Sequence, residues 1–201
     1  VLFPFEVLWY QKRGVDVKYF GHPLIDLYTK KVDTNNNINK TIGVFPGSRD
    51  QEVFRHIPIL KKFIKLIQKQ NKDIHFLIGL ADGIDEKIVY DLGLIKNYTI
   101  IKNNSIEAFN LSDVAVVASG TATLECAITQ TPCVVIYKTS FLSWWIASFF
   151  MKVNFVSIVN ILANKMLYKE LLQQQCSPEL IYKNVLDLLN NKTKNNKTDF
   201  E

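Results

Sequence analysis

A chain of 201 residues with 48% hydrophobic content can bury one sizeable core, and a formal net charge of +5 suits either phosphate-bearing ligands or a plain lysine-rich exterior. The three cysteines, Cys126, Cys133 and Cys176, are odd in number and lack C-x-x-C spacing, which argues against a disulfide framework and a zinc site and fits reduced thiols. His22, His56 and His75 form no metal pattern, no apolar stretch reaches transmembrane length, and no internal repeat is visible.

The opening Val1-Leu2-Phe3-Pro4-Phe5-Glu6 reads as the middle of an apolar strand and its following turn, as in a fragment whose N-terminal partner domain is missing. Strand-length apolar runs follow at Val17 to Phe20, Ile42 to Phe45, Ile74 to Ile78, Tyr98 to Ile101, Val114 to Ala118 and Cys133 to Tyr137. Gly21-His22-Pro23-Leu24 looks like a crossover point, because Pro23 cannot sit inside a strand. His22 and Asp26 belong to that loop, either near a ligand or in a structural role. Thr29 to Lys40, with Asn35, Asn36 and Asn37, reads as an exposed loop.

Asp50 to Gln70 is the clearest helix: Val53, Ile57, Leu60, Ile64 and Ile67 repeat at helical spacing, and Lys61, Lys62, Lys65 and Lys69 take the other side. Strands alternating with helices imply an α/β fold, a doubly wound, Rossmann-like parallel sheet with right-handed crossovers. The strands read as continuous apolar runs, as burial on both faces requires. Phe141 to Phe150, with Trp144 and Trp145, is compatible with packing on the sheet or a missing domain and with a membrane interface. From Asn190 onward the chain loses apolar periodicity, so 190–201 is expected to be a disordered tail.

In such a sheet, ligands sit beyond the carboxyl ends of the strands, and two turns of suitable chemistry fall there. Phe45-Pro46-Gly47-Ser48-Arg49 joins an apolar strand to the long helix. Gly47 allows a sharp turn, while the first N–H groups of the helix and the Arg49 guanidinium favour an anion. A cation in a first helical turn opposes the helix dipole by roughly 0.3–1 kcal/mol unless an anion accompanies it. The alternative is an ordinary turn with Ser48 or Asp50 as N-cap. Ala118-Ser119-Gly120-Thr121-Ala122-Thr123-Leu124-Glu125 repeats the pattern, and Glu125, one turn after Thr121, is placed to accept both hydroxyls of a ribose; the alternative is a capped helix with a surface carboxylate. Neither turn matches the dinucleotide fingerprint or the P-loop. Two such turns in one sheet point to a nucleotide. A nucleic-acid partner is not expected, because no aromatic platform interleaves with the lysines.

Leu2 to Glu6, Gly21 to Asp26, Phe45 to Arg49 with Glu52, and Ala118 to Glu125 resemble, in order, the lipid-A-disaccharide synthase family. The resemblance continues through Pro132 to Tyr137, Val156 to Ala163 and Lys169 to Gln173. It implies the nucleotide-sugar-binding half of a GT-B glycosyltransferase, an inverting hexosyltransferase of lipid A biosynthesis. That enzyme moves diacylglucosamine from UDP-2,3-diacylglucosamine to diacylglucosamine 1-phosphate, with no metal or cofactor, at the cytoplasmic face of the inner membrane. By the same resemblance Gly47, Ser48, Arg49, Ser119, Gly120, Thr121 and Glu125 form the UDP-sugar site with Asn160 nearby, and the catalytic base lies in the N-terminal half. Residues 1–24 then correspond to the interdomain crossover and 25–189 to the donor domain. The family usually has Pro at Val159 and Gly at Asn164, so the loop after Asn160 is expected to sit differently. A related alternative is a nucleotide-binding subunit whose acceptor half is separately encoded, docking through Val1 to Tyr10 and Phe141 to Phe150.

Overall fold

The computed structural model describes residues 1–26, 40–71, 73–140 and 155–192. The Phe141 to Phe150 segment, nearly all of the Thr29 to Lys40 loop and residues 193–201 lie outside these. Among the described residues no helix is long and apolar enough to cross a membrane.

The chain divides into two compact units, Val1–Lys31 and Val32–Glu201. In the first, the expected strand and turn at Val1 to Glu6 are instead the entry to helix α1, Pro4–Gln11. Pro4 occupies the first helical position, where its missing N–H costs nothing, and the Glu6 carboxylate reaches back to accept the N–H groups of Leu2 and Phe3 at 2.9 and 2.7 Å. No residue of α1 is buried. The expected strand Val17 to Phe20 is irregular backbone as well: Phe20 is 89% exposed, and among the described residues of this unit there is no neighbouring strand to satisfy the backbone groups. His22 plays a local part, its Nδ1 accepting the Leu24 N–H at 3.2 Å to cap the short 3-10 turn Pro23–Ile25.

The second unit is a six-stranded sheet: β1 Thr41–Phe45, β2 His75–Leu80, β3 Tyr98–Lys102, β4 Val114–Ala118, β5 Cys133–Tyr137 and β6 Lys169–Leu172. All pairings are parallel, in the order β3-β2-β1-β4-β5-β6. The helices among the described residues are α2 Asp50–Gln70, α3 Ile88–Leu92, α4 Ser105–Asn110, α5 Ala122–Ile128, α6 Ile158–Ala163 and α7 Pro178–Lys192. Helices α2, α3 and α7 pack with Ile42, Val44, Phe76, Ile78, Val114, Val116, Val134 and Ile136 in the larger core. The intervening strand residues face the layer of α4, α5 and α6, so the sheet is covered on both sides and its runs stay apolar throughout. Helix α2 buries Leu60, Phe63, Ile64 and Ile67 completely, each contributing about 1.5–3 kcal/mol of transfer free energy. Helix α7 continues through Asn190 and Asn191 to Lys192, past the point where the tail was expected to begin.

The chain runs from β1 outward to β3, then returns to β4 on the other side of β1 and continues to β6. The switch point of this doubly wound sheet therefore lies between β1 and β4, where the crossovers diverge and leave a crevice.

Candidate functional site

Both glycine turns leave the sheet at this crevice. Phe45 of β1 stands in register with Val117 of β4, so residues 46–49 and 119–121 emerge side by side. Gly47, Ser48, Ser119, Gly120 and Thr121 line a cleft of about 230 Å3 together with the ends of β2 and β3 and the start of α4. The floor is Phe45, whose ring stacks on Phe109 with centroids 3.9 Å apart and lies over Gly79, where any Cβ would run into it. Leu80 and Ile101 add apolar wall, while Asn103, Ser105 and Glu125 supply polar groups.

Gly47 sits at φ +131°, a conformation that L side chains rarely adopt, and a Cβ there would meet the Oε2 and Cβ of Glu52 at 3.1 and 3.2 Å. The N-cap of α2 is Arg49, in extended conformation, rather than Ser48 or Asp50. Its guanidinium pairs with Glu52 at 3.0 Å, so the counter-charge that this cation requires is already provided by its own helix. Arg49 consequently does not line the cleft. It lines an adjoining groove of about 470 Å3 with Asp50, Arg55, Tyr137, Lys138 and Thr139, three cations beside the Asp50 carboxylate. Glu52 borders both spaces.

In the second turn, Ser119 is tied to its surroundings. Its N–H donates to Ile136 O at 2.9 Å, and its hydroxyl donates to Val156 O at 3.2 Å. The first hydrogen bonds of the turn into α5 run from Thr123 N and its hydroxyl to Gly120 O, leaving Gly120, Thr121 and Ala122 at the orphan-donor positions of a helix start. The Thr121 side chain makes no capping bond, and Glu125 lies one turn on in the same cleft. Burial pushes the Glu125 carboxyl above its ordinary value of 4.5, with a hydrogen bond from Ser105 acting in the opposite direction. Among the described residues the cleft is lined by the carboxylates of Glu52, Asp82 and Glu125 and by no lysine or arginine. The cations stand in the groove.

Gly47, Ser48, Ser119, Gly120, Thr121 and Glu125 are thus brought together, Arg49 stands next door, and Asn160 is elsewhere. Asn160 is fully buried and all its side-chain capacity is used within the chain. Its Nδ2 donates to Tyr168 O and Glu170 Oε1, both at 2.8 Å, and its Oδ1 accepts the N–H groups of Leu167 and Tyr168 at 2.9 Å. Glu170, 5% exposed, also accepts the N–H groups of Val156 and Ser157 at 2.9 Å. This cluster holds the segment against which Ser119 bonds. Asn164 closes α6 in the left-handed conformation at φ +49°, which Asn adopts more readily than other side-chain-bearing residues.

His56 lines neither space but touches the residue before Gly47, a connection that sequence reasoning missed. It is fully buried on α2 and bonded to Pro46 O and Lys138 N, and no local pattern distinguishes it from a packed helical position.

The fold and the place of its cleft define a Rossmann-like domain of the GT-B fold. The solved ADP-heptose lipopolysaccharide heptosyltransferase II of E. coli superposes with a TM-score of 0.54 at 11% identity, over 77% of this chain and 48% of that one. A putative UDP-N-acetylglucosamine 2-epimerase from Listeria monocytogenes gives 0.53 at 17% identity, over 90% and 43%. At the level of sequence, the family model described as lipid-A-disaccharide synthetase matches residues 1–201, and the chain belongs to that family. Lipid-A-disaccharide synthase 1 of Legionella pneumophila is 38% identical over 187 residues, 88% of this chain and 49% of the relative. The lipid-A-disaccharide synthase of Nitrosococcus oceani is 37% identical over 205 residues, 96% and 52%. The chain spans about half the length of these curated relatives.

Proposed function

We propose that this chain is the UDP-sugar-binding half of a lipid-A-disaccharide synthase, which transfers diacylglucosamine with inversion from UDP-2,3-diacylglucosamine to diacylglucosamine 1-phosphate. The observation that carries this reading is the convergence of Gly47-Ser48 and Ser119-Gly120-Thr121 at the switch point of the sheet, in a chain of this family. The cleft is smaller than the roughly 300–1,000 Å3 typical of whole ligand sites, which suits the nucleoside end of the donor. The base lies along Phe45, Leu80 and Ile101, and the Glu125 carboxylate accepts the ribose hydroxyls. The diphosphate then lies over the two turns, toward the groove that holds the positive charge.

In the transfer, the acceptor hydroxyl forms a bond to the anomeric carbon and gives its proton to a base, while the bond to the diphosphate oxygen breaks and UDP departs with the electron pair. Arg49, exchanging Glu52 for the departing phosphate, and the first N–H groups of α2 and α5 stabilise that charge. The base and the acceptor site belong to a part of the protein outside this sequence, with residues 1–24 as the crossover and 25–189 as the donor domain. The whole enzyme works at the cytoplasmic face of the inner membrane. Asn160 serves the site by bracing the Val156–Ser157 segment.

A second reading makes the chain one subunit of a split enzyme with a separately encoded acceptor half. The exposure of Leu2, Phe5, Leu8 and Trp9 around α1 favours it. Co-expression with the candidate partner followed by affinity purification separates the two: a stable complex supports the split, and recovery of this chain alone opposes it. For the site itself, UDP is titrated into 15N-labelled protein. Amide shifts at Gly47, Ser48, Gly120 and Thr121 are expected, and shifts confined to other surfaces would contradict the assignment.

A further inference from the structure

We propose that His56 is a positioning residue of the nucleotide site, a buried clasp that ties the Gly47 turn to the end of β5 and releases when its ring is protonated. The part of this concerning the ligand rests on the nucleotide reading above; the clasp itself does not.

Strands β1 and β5 are not neighbours, because β4 runs between them. Ladder pairing extends to Phe45 with Val117 and to Tyr137 with Leu172, so the segments that leave β1 and β5 beyond these residues are not held to each other by the sheet. His56 makes that connection. Its Nδ1 lies 2.7 Å from Pro46 O, the residue before Gly47, and its Nε2 accepts the Lys138 N–H at 3.1 Å. A carbonyl can only accept and a backbone N–H can only donate, so the two contacts fix the tautomer: Nδ1 carries the proton and Nε2 is bare. The ring is completely buried and both nitrogens are satisfied by backbone. A leucine would fill the same helical position without joining anything.

Between the two clasped segments lies the turn after β4 with Ser119, Gly120 and Thr121, so the clasp fixes how far the walls stand apart around it. It also sets where Lys138 lies relative to Arg49 and Arg55 in the basic groove. Protonation would place a second ring N–H against the Lys138 N–H, donor facing donor in a buried position, and break that link. The groups acting on the ring are Glu52 and Arg55 from α2 and Lys138 from the end of β5. Cys176, near Tyr137 and Lys138, has its thiol pushed up to about 11 by burial and keeps its proton throughout the range in question. Burial outweighs the Pro46 and Glu52 interactions and holds the His56 ring neutral, so the clasp is closed at neutral pH.

The test reads the clasp and the ligand separately. Ring 15N shifts of the unmodified protein at pH 7.5 should show Nδ1 protonated and Nε2 bare. Hydrogen exchange of the Lys138 amide, corrected for intrinsic rate, should lose protection as pH falls through the titration of that ring. In parallel, the UDP dissociation constant should rise roughly threefold to tenfold over the same step, the worth of one hydrogen bond. In His56→Gln, whose side-chain carbonyl can still accept from Lys138, the Lys138 amide should stay protected and this step should vanish. Residual pH dependence comes from Glu125 and from the terminal phosphate of UDP, and Glu125→Gln removes only the first. An Nε2-protonated tautomer, or Lys138 protection that does not follow the His56 titration, overturns the clasp even if His56→Gln does not fold. Absence of UDP binding at every pH, with Lys138 behaving as described, would instead overturn the nucleotide reading and leave the clasp standing.

Discussion

The turns after β1 and β4 read alike in sequence, each an apolar strand followed by glycine, a hydroxyl and a helix, yet they are held in opposite ways. The turn after β1 is fixed by its own helix: Glu52 packs against Gly47, Arg49 pairs with Glu52, and His56 grips Pro46. The turn after β4 is fixed from outside, through Ser119 to Ile136 and Val156, and through Val156 to the buried Glu170 and Asn160. A glycine and a hydroxyl therefore locate a turn without saying which of its groups remain for a ligand. In the first turn Ser48 is exposed; in the second Ser119 is engaged and Thr121 and Glu125 are offered.

If the second turn is braced from outside, the largest stability loss should come from Asn160, which does not line the cleft. Asn160→Ala removes a buried acceptor from the Tyr168 N–H and a donor from the buried Glu170, while the part-buried Leu167 N–H keeps Lys165 O as acceptor. At about 1–3 kcal/mol for each orphaned buried group, denaturant unfolding should show a loss on the order of 3 kcal/mol or more. A loss below about 1 kcal/mol would break the comparison. Gly47→Ala comes next, costing about 1–3 kcal/mol for a side chain at positive φ against Glu52, read as a lowered thermal midpoint and weaker UDP binding. Arg49→Ala should change stability by no more than about 0.5 kcal/mol, because its pair with Glu52 is 79% exposed on the arginine side. Turnover of the full-length enzyme should nevertheless fall by roughly a hundredfold if Arg49 meets the leaving diphosphate, and unchanged turnover would remove that role.

Smaller effects sharpen the comparison through pH. The folded state holds His56 below its ordinary value of 6.5, so the unfolded chain binds more protons as pH falls past that value. Its contribution to stability is complete above 6.5 and declines at lower pH. Glu125 is displaced the other way, so UDP affinity should fall as pH drops through its raised value, a dependence that Glu125→Gln abolishes.

Where burial is uniform, the fold was legible. Helix α2 and strands β4 and β5 lie where their apolar periodicity put them, because packing on the sheet enforces the same pattern that betrays them. Strand β6 was not, since the buried Glu170 interrupts its run, and only partners at Val156, Ser157 and Asn160, distant in sequence, make that carboxylate tolerable. The helix at Pro4 carried its own signals in the N1 proline and the glutamate two residues on, overridden by an apolar start that resembles a strand. Both turns could be placed from their residues, but the gathering of Arg49, Arg55 and Lys138 in a groove apart from the cleft could not, because it depends on side-chain placement that includes the Arg49 pair with Glu52.

Calorimetric titration of this chain with UDP, UMP and ADP tests the central claim most directly. The account predicts saturable 1:1 binding of UDP, weaker binding of UMP because the second phosphate is lost, and discrimination against ADP, with Glu125→Gln weakening UDP binding. Equal affinity for all three nucleotides, or UDP binding unaffected by Glu125→Gln, would contradict it.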